Sequence, residues 1–225
     1  MLKKAMKEML TSSRERGWVM EPDAKRLFSL AGLSVPRFAV AGDLATAVLA
    51  AGKIGYPVVA KVVSPDVVHK SDVGGVVPGI STESELKKAF QRISTIKGFT
   101  EVLIEEMLSG VELIVGAKVD RQFGPVVILG IGGTGVELYD DVSIRMAPLS
   151  PSDVESMISG LKARALLEGY RGAPPVNRRA LTEMLVAFSR LVMELEGAID
   201  SIDLNPVFCS SEGCVVGDAR IMLRR

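Results

Sequence analysis

Asp203 and Asn205, in the run Asp203-Leu204-Asn205-Pro206, stand two residues apart and so share one face of an extended segment. Asp218 follows beyond a short hairpin, on a neighbouring strand that reaches the same face. These are hard oxygen donors with no imidazole among them, a set that takes Mg²⁺ and leaves its remaining positions to phosphate oxygens and water. A polar strand face at a sheet edge would carry the same residues. Lys61 lies inside the β-branched run Pro57-Val58-Val59-Ala60-Lys61-Val62-Val63. An ammonium in a strand covered on both faces loses hydration, and an anion such as a phosphate must meet it. Otherwise its head runs along the strand end to water.

The loop after it, residues 64–75, holds the chain's one histidine, His69, together with Lys70, Asp66, Asp72 and the pair Gly74-Gly75. Imidazole is a nucleophile that titrates near neutrality, so a histidine on a polar loop is able to accept a transferred phosphoryl group. Capping a turn is the plainer use of such a residue. Glu105-Glu106-Met107-Leu108 closes a strand, and Glu112 follows Gly110-Val111. Carboxylates and backbone groups there suit an adenine amino group and ribose hydroxyls, or form a solvated acidic turn. Gly130-Ile131-Gly132-Gly133-Thr134-Gly135 is no Walker A loop, because no Gly-Lys-Ser/Thr follows, and no dinucleotide fingerprint, because the next residues read as extended. It is either a generic glycine turn or a row of backbone N–H groups over phosphates, with Arg145 nearby as a charge clamp. Cys209 and Cys214 flank a hairpin turn and read as two reduced thiols.

The whole-chain arithmetic narrows the partners. Across 225 residues, 27 Lys and Arg balance 27 Asp and Glu. A neutral chain lacks the cationic surplus that neutralises a nucleic-acid backbone, and it carries no basic tail for an anionic membrane. One histidine and two cysteines exclude zinc sites built on paired imidazoles and any disulfide framework. No apolar run is long enough to span a bilayer, and the first 17 residues read as an amphipathic helix and not as a signal peptide. A cytoplasmic protein that binds neither nucleic acid nor membrane is expected.

These residues need a frame, and helix and strand periodicities alternate along the chain. Glu21-Pro22-Asp23 opens a helix closed by Gly32, Asp43 caps a second through Ile54, and Thr82 with Glu85 has capping-box spacing before a third. Ser150-Pro151 opens a fourth, and Asn177 starts the longest, with Leu181, Leu185, Phe188 and Val192 in its stripe. Extended runs are expected over 37–40, 57–63, 101–107, 111–119, 125–129, 136–147, 198–205 and 214–218. With 48% hydrophobic residues a core is assured, and a waist near 105–110 divides the chain. The expected parts are an N-terminal helix over 1–20, one lobe over 21–104 and a second over 105–225.

In this order and spacing the segments resemble the nucleotide-binding β subunit of the ADP-forming acyl-CoA synthetases, the acetate–CoA ligase (ADP-forming) family, ATP-grasp proteins related to succinyl-CoA synthetase. The most specific stretch runs from Val58 through Lys61, His69 and Gly75 to Val76. Asp203-Leu204-Asn205-Pro206-Val207 and Phe123-Gly124-Pro125-Val126-Val127 support it. Two departures stand out. Ser201 sits where relatives often carry glutamate, and Thr134-Gly135 interrupts a loop that usually continues with bulkier apolar residues.

The resemblance implies an α+β ATP-grasp fold, two α/β lobes clamping a nucleotide. ATP or ADP with Mg²⁺ would be its ligands. Lys61 and Lys70 would meet the nucleotide, Glu105, Glu106, Met107 and Leu108 would line the adenine, Glu112 would take the ribose, and Gly132 and Gly133 would approach the phosphates. Arg145 would assist catalysis, while Asp203, Asn205 and Asp218 would hold the metal. It also implies a companion CoA-binding α subunit in an α₂β₂ assembly, a phosphoryl group relayed through histidine, and His69 as the second carrier of that group. Another ATP-grasp ligase joining an acyl phosphate to an amine, or a nucleotide-sensing module without catalysis, would keep the fold, but neither needs the histidine.

Overall fold

The computed structural model describes residues 3–133 and 141–224. Their contacts divide into two compact units, one formed by Met1–Val35 with Ser109–Arg225, the other by Pro36–Leu108. The smaller unit is a four-stranded antiparallel sheet in the order β2 (Phe38–Ala41), β5 (Glu101–Glu106), β3 (Val58–Val63), β4 (Val76–Ile80). Helices α3 (Leu44–Ile54) and α4 (Glu83–Ile93) cover one face, burying Ala47, Ala51, Leu86 and Ile93 against Val58, Ala60, Val62, Val102 and Ile104. Both helices begin as expected: Asp43 Oδ1 accepts from Thr46 N at 2.8 Å, and Thr82 Oγ1 accepts from Glu85 N at 3.2 Å.

Strand β4 is absent from the sequence reading. Pro78 and Gly79 interrupt its pattern, and the edge position is what tolerates a proline that cannot donate to a ladder.

The larger unit is an antiparallel sheet in the order β1 (Trp18–Val19), β11 (Arg220–Leu223), β9 (Ile199–Cys209), β6 (Val111–Asp120), β7 (Gly124–Ile131), β8 (Val142–Met146), with β10 (Cys214–Val216) also on β9. Its core face carries Leu113, Val115, Val127, Leu129, Ile202 and Leu204. Against it lie Met157 and Ile158 of α5 (Pro151–Gly160), Leu185, Phe188 and Val192 of α6 (Arg178–Leu195), and Leu27 and Phe28 of α2 (Glu21–Leu30). The short helix α1 (Lys4–Ser12) adds Met6 and Leu10. At the start of α5, Ser150 and Asp153 form a reciprocal capping box, and the hydrogen bonds that Ser150 donates from Oγ and from its backbone N to Asp153 Oδ2, at 2.5 and 2.8 Å, hold the Asp153 carboxyl below its ordinary range.

The units differ from the expected parts 1–20, 21–104 and 105–225. Trp18 and Val19 pair with Met222 and Ile221, Leu223 N donates to Gly17 O at 2.9 Å, and Val216 N donates to Ser34 O at 2.9 Å. The first 35 residues therefore join the C-terminal portion, and the smaller unit is inserted between them. A strand of two residues leaves no periodicity to read.

Two further expectations are corrected. β9 runs on through Pro206 to Cys209, because its pairing with β6 shifts register and sets Asn205 and Pro206 opposite the single residue Ile114. Cys209 and Cys214 lie directly opposite in the β9–β10 hairpin, with Cα atoms 4.2 Å apart, and are joined by a disulfide where two reduced thiols were expected.

Candidate functional site

In the smaller unit, Val59 lies opposite Glu105 and Lys61 opposite Leu103, so Lys61 and Glu105 are diagonal neighbours on the face turned away from α3 and α4. Lys61 Nζ stands 2.5 Å from Glu105 Oε1, with side-chain exposures of 7% and 4%. The anion that a buried lysine requires is present within the chain: the carboxylate of Glu105, a residue expected at an adenine ring, is turned onto Lys61. Glu106, expected beside the same ring, is held as well. Arg37 grips it twice, from Nε to Oε2 at 2.7 Å and from the backbone N to Oε1 at 2.9 Å. Met107 is exposed, with its N–H 3.4 Å from Pro57 O, and the half-buried Leu108 ends the unit.

Loop 64–75 is fastened at both ends. Ser64 Oγ donates to Lys97 O at 2.8 Å and accepts from Asp66 N at 3.1 Å. At the far end Gly75 N donates to Lys70 O at 2.7 Å, Gly75 O accepts from Val62 N at 2.8 Å, and Arg92 Nη2 donates to Gly74 O at 3.1 Å. Gly75 is required there: a Cβ would stand 2.5 Å from Val62 Cγ1 and 3.0 Å from Lys70 O. His69 is exposed on this fixed base and Lys70 is half-buried.

In the larger unit, Gly132 N donates to Glu112 O at 2.6 Å, and a Cβ on Gly132 would stand 2.9 Å from the Glu112 carbonyl. Gly133, at φ +98, places its hypothetical Cβ 4.0 Å from Glu112 Oε2. The structure thus brings Glu112, Gly132 and Gly133 together. Gly130 and Ile131 belong to β7, while Thr134, Gly135 and the expected extension over 136–140 lie outside the described residues.

Arg145 goes elsewhere. It is opposite Val127, a core-face residue, and its Nη2 donates to Ser156 Oγ of α5 at 2.8 Å. Strand alternation puts it on the helix side of the sheet, away from the face that holds Asp203. Arg145, expected as a charge clamp beside the glycine loop, is held by Ser156 on the helix side.

Asp203 lies opposite Gly116 and Arg220 on the open face of β9, between the core residues Ile202 and Leu204. Asn205 follows in the register shift. Asp218 is in the turn between β10 and β11 and not on a strand as expected; Gly217 N and Asp218 N both donate to Pro206 O, at 2.9 and 3.3 Å. Two backbone bonds therefore tie the Asp218 turn to the Asn205-Pro206 segment. Asp218 Oδ1 accepts from Ala219 N at 2.7 Å, and Arg220 Nη2 stands 3.0 Å from Asp203 Oδ2.

The ATP-grasp domain family matches residues 10–223. The chain belongs to the ATP-grasp family. Among curated relatives, the β subunit of acetate–CoA ligase (ADP-forming) I from Pyrococcus furiosus is 42% identical over 213 residues, covering 91% of each chain. The β subunit of ligase II from the same organism is 39% identical and covers 98% of this chain and 97% of its own. Among solved structures, an acetyl-coenzyme A synthetase of Candidatus Korarchaeum cryptofilum, in complex with coenzyme A, Ca-AMPCP and HgCl⁺, superposes with a TM-score of 0.90 at 42% identity, covering 97% of this chain and 99% of that one. A further structure of it, with coenzyme A and Mg-AMPPCP, has its phosphohistidine segment pointing towards the nucleotide binding site, with a TM-score of 0.85, 43% identity and coverage of 97% and 100%.

Within this ATP-grasp chain the donors fit a divalent cation of one kind. Among the described residues no three carboxylate, imidazole or thiolate side chains gather closely enough to hold a metal unaided. Asp203, Asn205 and Asp218 offer two carboxylates and an amide, a set that suits Mg²⁺ completed by phosphate and water. The guanidinium beside Asp203 shows that this carboxylate already attracts a cation.

Arg220 was missed by sequence reasoning, because β11 went unread and the residue opposite Asp203 was therefore unknown. The Asp218-Ala219-Arg220 spacing was its only local signal. Glu21 and Lys25 were missed too, although their i,i+4 spacing in a helix with an apolar face was readable.

Proposed function

We propose that this chain is the nucleotide-binding β subunit of an ADP-forming acyl-CoA synthetase of the acetate–CoA ligase kind, interconverting acyl-CoA, phosphate and ADP with carboxylate, CoA and ATP. The observation that carries this reading is loop 64–75, where the single imidazole stands exposed on a base fastened by Ser64, Gly74 and Gly75. The β-subunit relatives and the nucleotide complexes of the similar synthetase support it.

His69 receives the phosphoryl group from a histidine of a CoA-binding α subunit: its ring nitrogen forms an N–P bond as the donor's N–P bond breaks. A β-phosphate oxygen of ADP then attacks phosphorus, an O–P bond forms, and the His69 N–P bond breaks with its electron pair returning to the ring. A group held on nitrogen keeps its transfer potential, so the step needs positioning and charge neutralisation more than activation. Lys61, held by Glu105, has further donors on its ammonium for phosphate oxygens. Asp203, Asn205 and Asp218 would hold a Mg²⁺, which would supply charge neutralisation at the phosphates. Glu112 and Gly132–Gly133 serve ribose and phosphate recognition. The assembly is α₂β₂ and cytoplasmic; among the described residues no helix is long and apolar enough to cross a membrane.

Co-purification with a CoA-binding α subunit, followed by an assay of ATP formation from acetyl-CoA, ADP and phosphate, tests the reading. Activity is expected, with acid-labile ³²P on this chain that His69→Ala abolishes. No ATP formation from any acyl-CoA would sink it, and label surviving in His69→Ala would remove the carrier role.

A further inference from the structure

Lys25 is among the largest side chains sealed completely inside the described residues, at 0% exposure. It lies on α2, outside every motif that carries the chemistry. Its Nζ stands 3.0 Å from Glu21 Oε1 and donates to Gly217 O at 2.9 Å. Packing α2 onto the sheet does not call for a charged pair, since apolar residues of similar volume fill such a position at equal or better stability. What the ammonium does that a methyl group does not is hold a specific carbonyl.

That carbonyl belongs to the residue before Asp218. Gly217 is gripped from both sides: Lys25 takes its oxygen, while its N–H and that of Asp218 are committed to Pro206 O. The fit leaves no slack, because a Cβ at Gly217 would stand 2.7 Å from Phe208 Cε2 and 2.9 Å from Pro206 O. Just upstream, Val216 N donates to Ser34 O at 2.9 Å, so the α2 region pins the entry to this turn at a second point. A chain of contacts therefore runs from Glu21 through Lys25, Gly217 and Pro206 to Asn205.

We propose that Lys25, braced by Glu21, is a positioning residue for cation binding: by holding the Gly217 carbonyl it fixes where Asp218 stands relative to Asn205. The inference rests on the reading of Asp203, Asn205 and Asp218 as the cation set. Partners that orient first ligands typically govern metal affinity by roughly 10–100-fold, and Lys25 acts on the backbone of a ligand from the core.

The test measures Mn²⁺ affinity in the presence of ADP by the electron paramagnetic resonance of free Mn²⁺, beside metal-free ADP affinity and the thermal midpoint, on the full chain. Glu21→Gln/Lys25→Met removes both charges together, so no lone charge is left in the core. Gly217→Ala displaces the same turn from the opposite side and leaves the α2 pair intact. Both variants are expected to bind ADP without metal as the wild type does, and to bind Mn²⁺ roughly 10–100-fold more weakly. Folded variants with Mn²⁺ affinity within about twofold of wild type, while Asp218→Asn loses about tenfold or more, overturn the role of Lys25 alone. Unchanged affinity in Asp218→Asn overturns the cation-set reading and the inference with it. Should the double variant not fold, Gly217→Ala decides by the same thresholds.

Discussion

Lys61 and Glu105 neutralise each other in a nearly sealed position, and the cost of separating them differs from the cost of losing both. Lys61→Met leaves the Glu105 carboxylate buried without the cation beside it, a change expected to cost about 3–5 kcal/mol, read from urea unfolding. Adding Glu105→Gln should restore most of that stability, because the double variant buries no unmatched charge. Nucleotide binding should not return with it, since the role proposed for the ammonium is at the phosphates. Recovery of both together would assign Lys61 to the fold alone. The need of Lys61 for an anion was legible because the β-branched run announces burial; which anion meets it was not, because Glu105 lies 44 positions away and only strand register makes it a neighbour.

Helix starts were the most legible elements, because a cap is chemistry between residues a few positions apart. Asp43, Thr82, Ser150 and Asn177 all cap where expected. Strands were less so. β4 is broken up by Pro78-Gly79, and β11 has four residues whose partners lie on β1 and β9. The contact of Arg145 with Ser156 was illegible for the same reason: alternation along β8 is local, but which face meets α5 is decided by the packing of the whole unit. The α5 capping box also gives a pH-dependent test. The folded Asp153 carboxyl titrates below its ordinary 3.8, held down by Ser150, so the unfolded chain takes up the proton first. Its stabilisation is complete above 3.8 and is lost as pH falls through the lower folded value. Asp153→Asn should therefore be less stable than wild type at about pH 6, and the gap should narrow as pH falls below 3.8 in urea titrations. A gap that persists unchanged at low pH would remove the carboxylate from the cap.

At the scale of the molecule, the waist was legible from the acidic turn near 105–110, and the boundary falls after Leu108. The discontinuity of the larger unit was not, since the pairing that creates it joins residues from opposite ends of the chain. Trp18, the one tryptophan, is buried in the larger unit, so its fluorescence reports that unit alone. Two units with separate cores are expected to unfold with non-coincident midpoints by tryptophan fluorescence and far-ultraviolet circular dichroism. A single shared transition would mean that the two cores behave as one cooperative block.

The pairing of Trp18 and Val19 with Met222 and Ile221 also orders events on the ribosome. At about 5–20 residues per second, β1 emerges roughly 10–40 s before its partner strand is made. Pro36–Leu108 is complete in the meantime and holds all four strands of its own sheet. The inserted unit is therefore the part of the nascent chain that is free to form first. Strand β1 waits for β11, and a polypeptide stopped before Arg220 carries β1 without that partner strand.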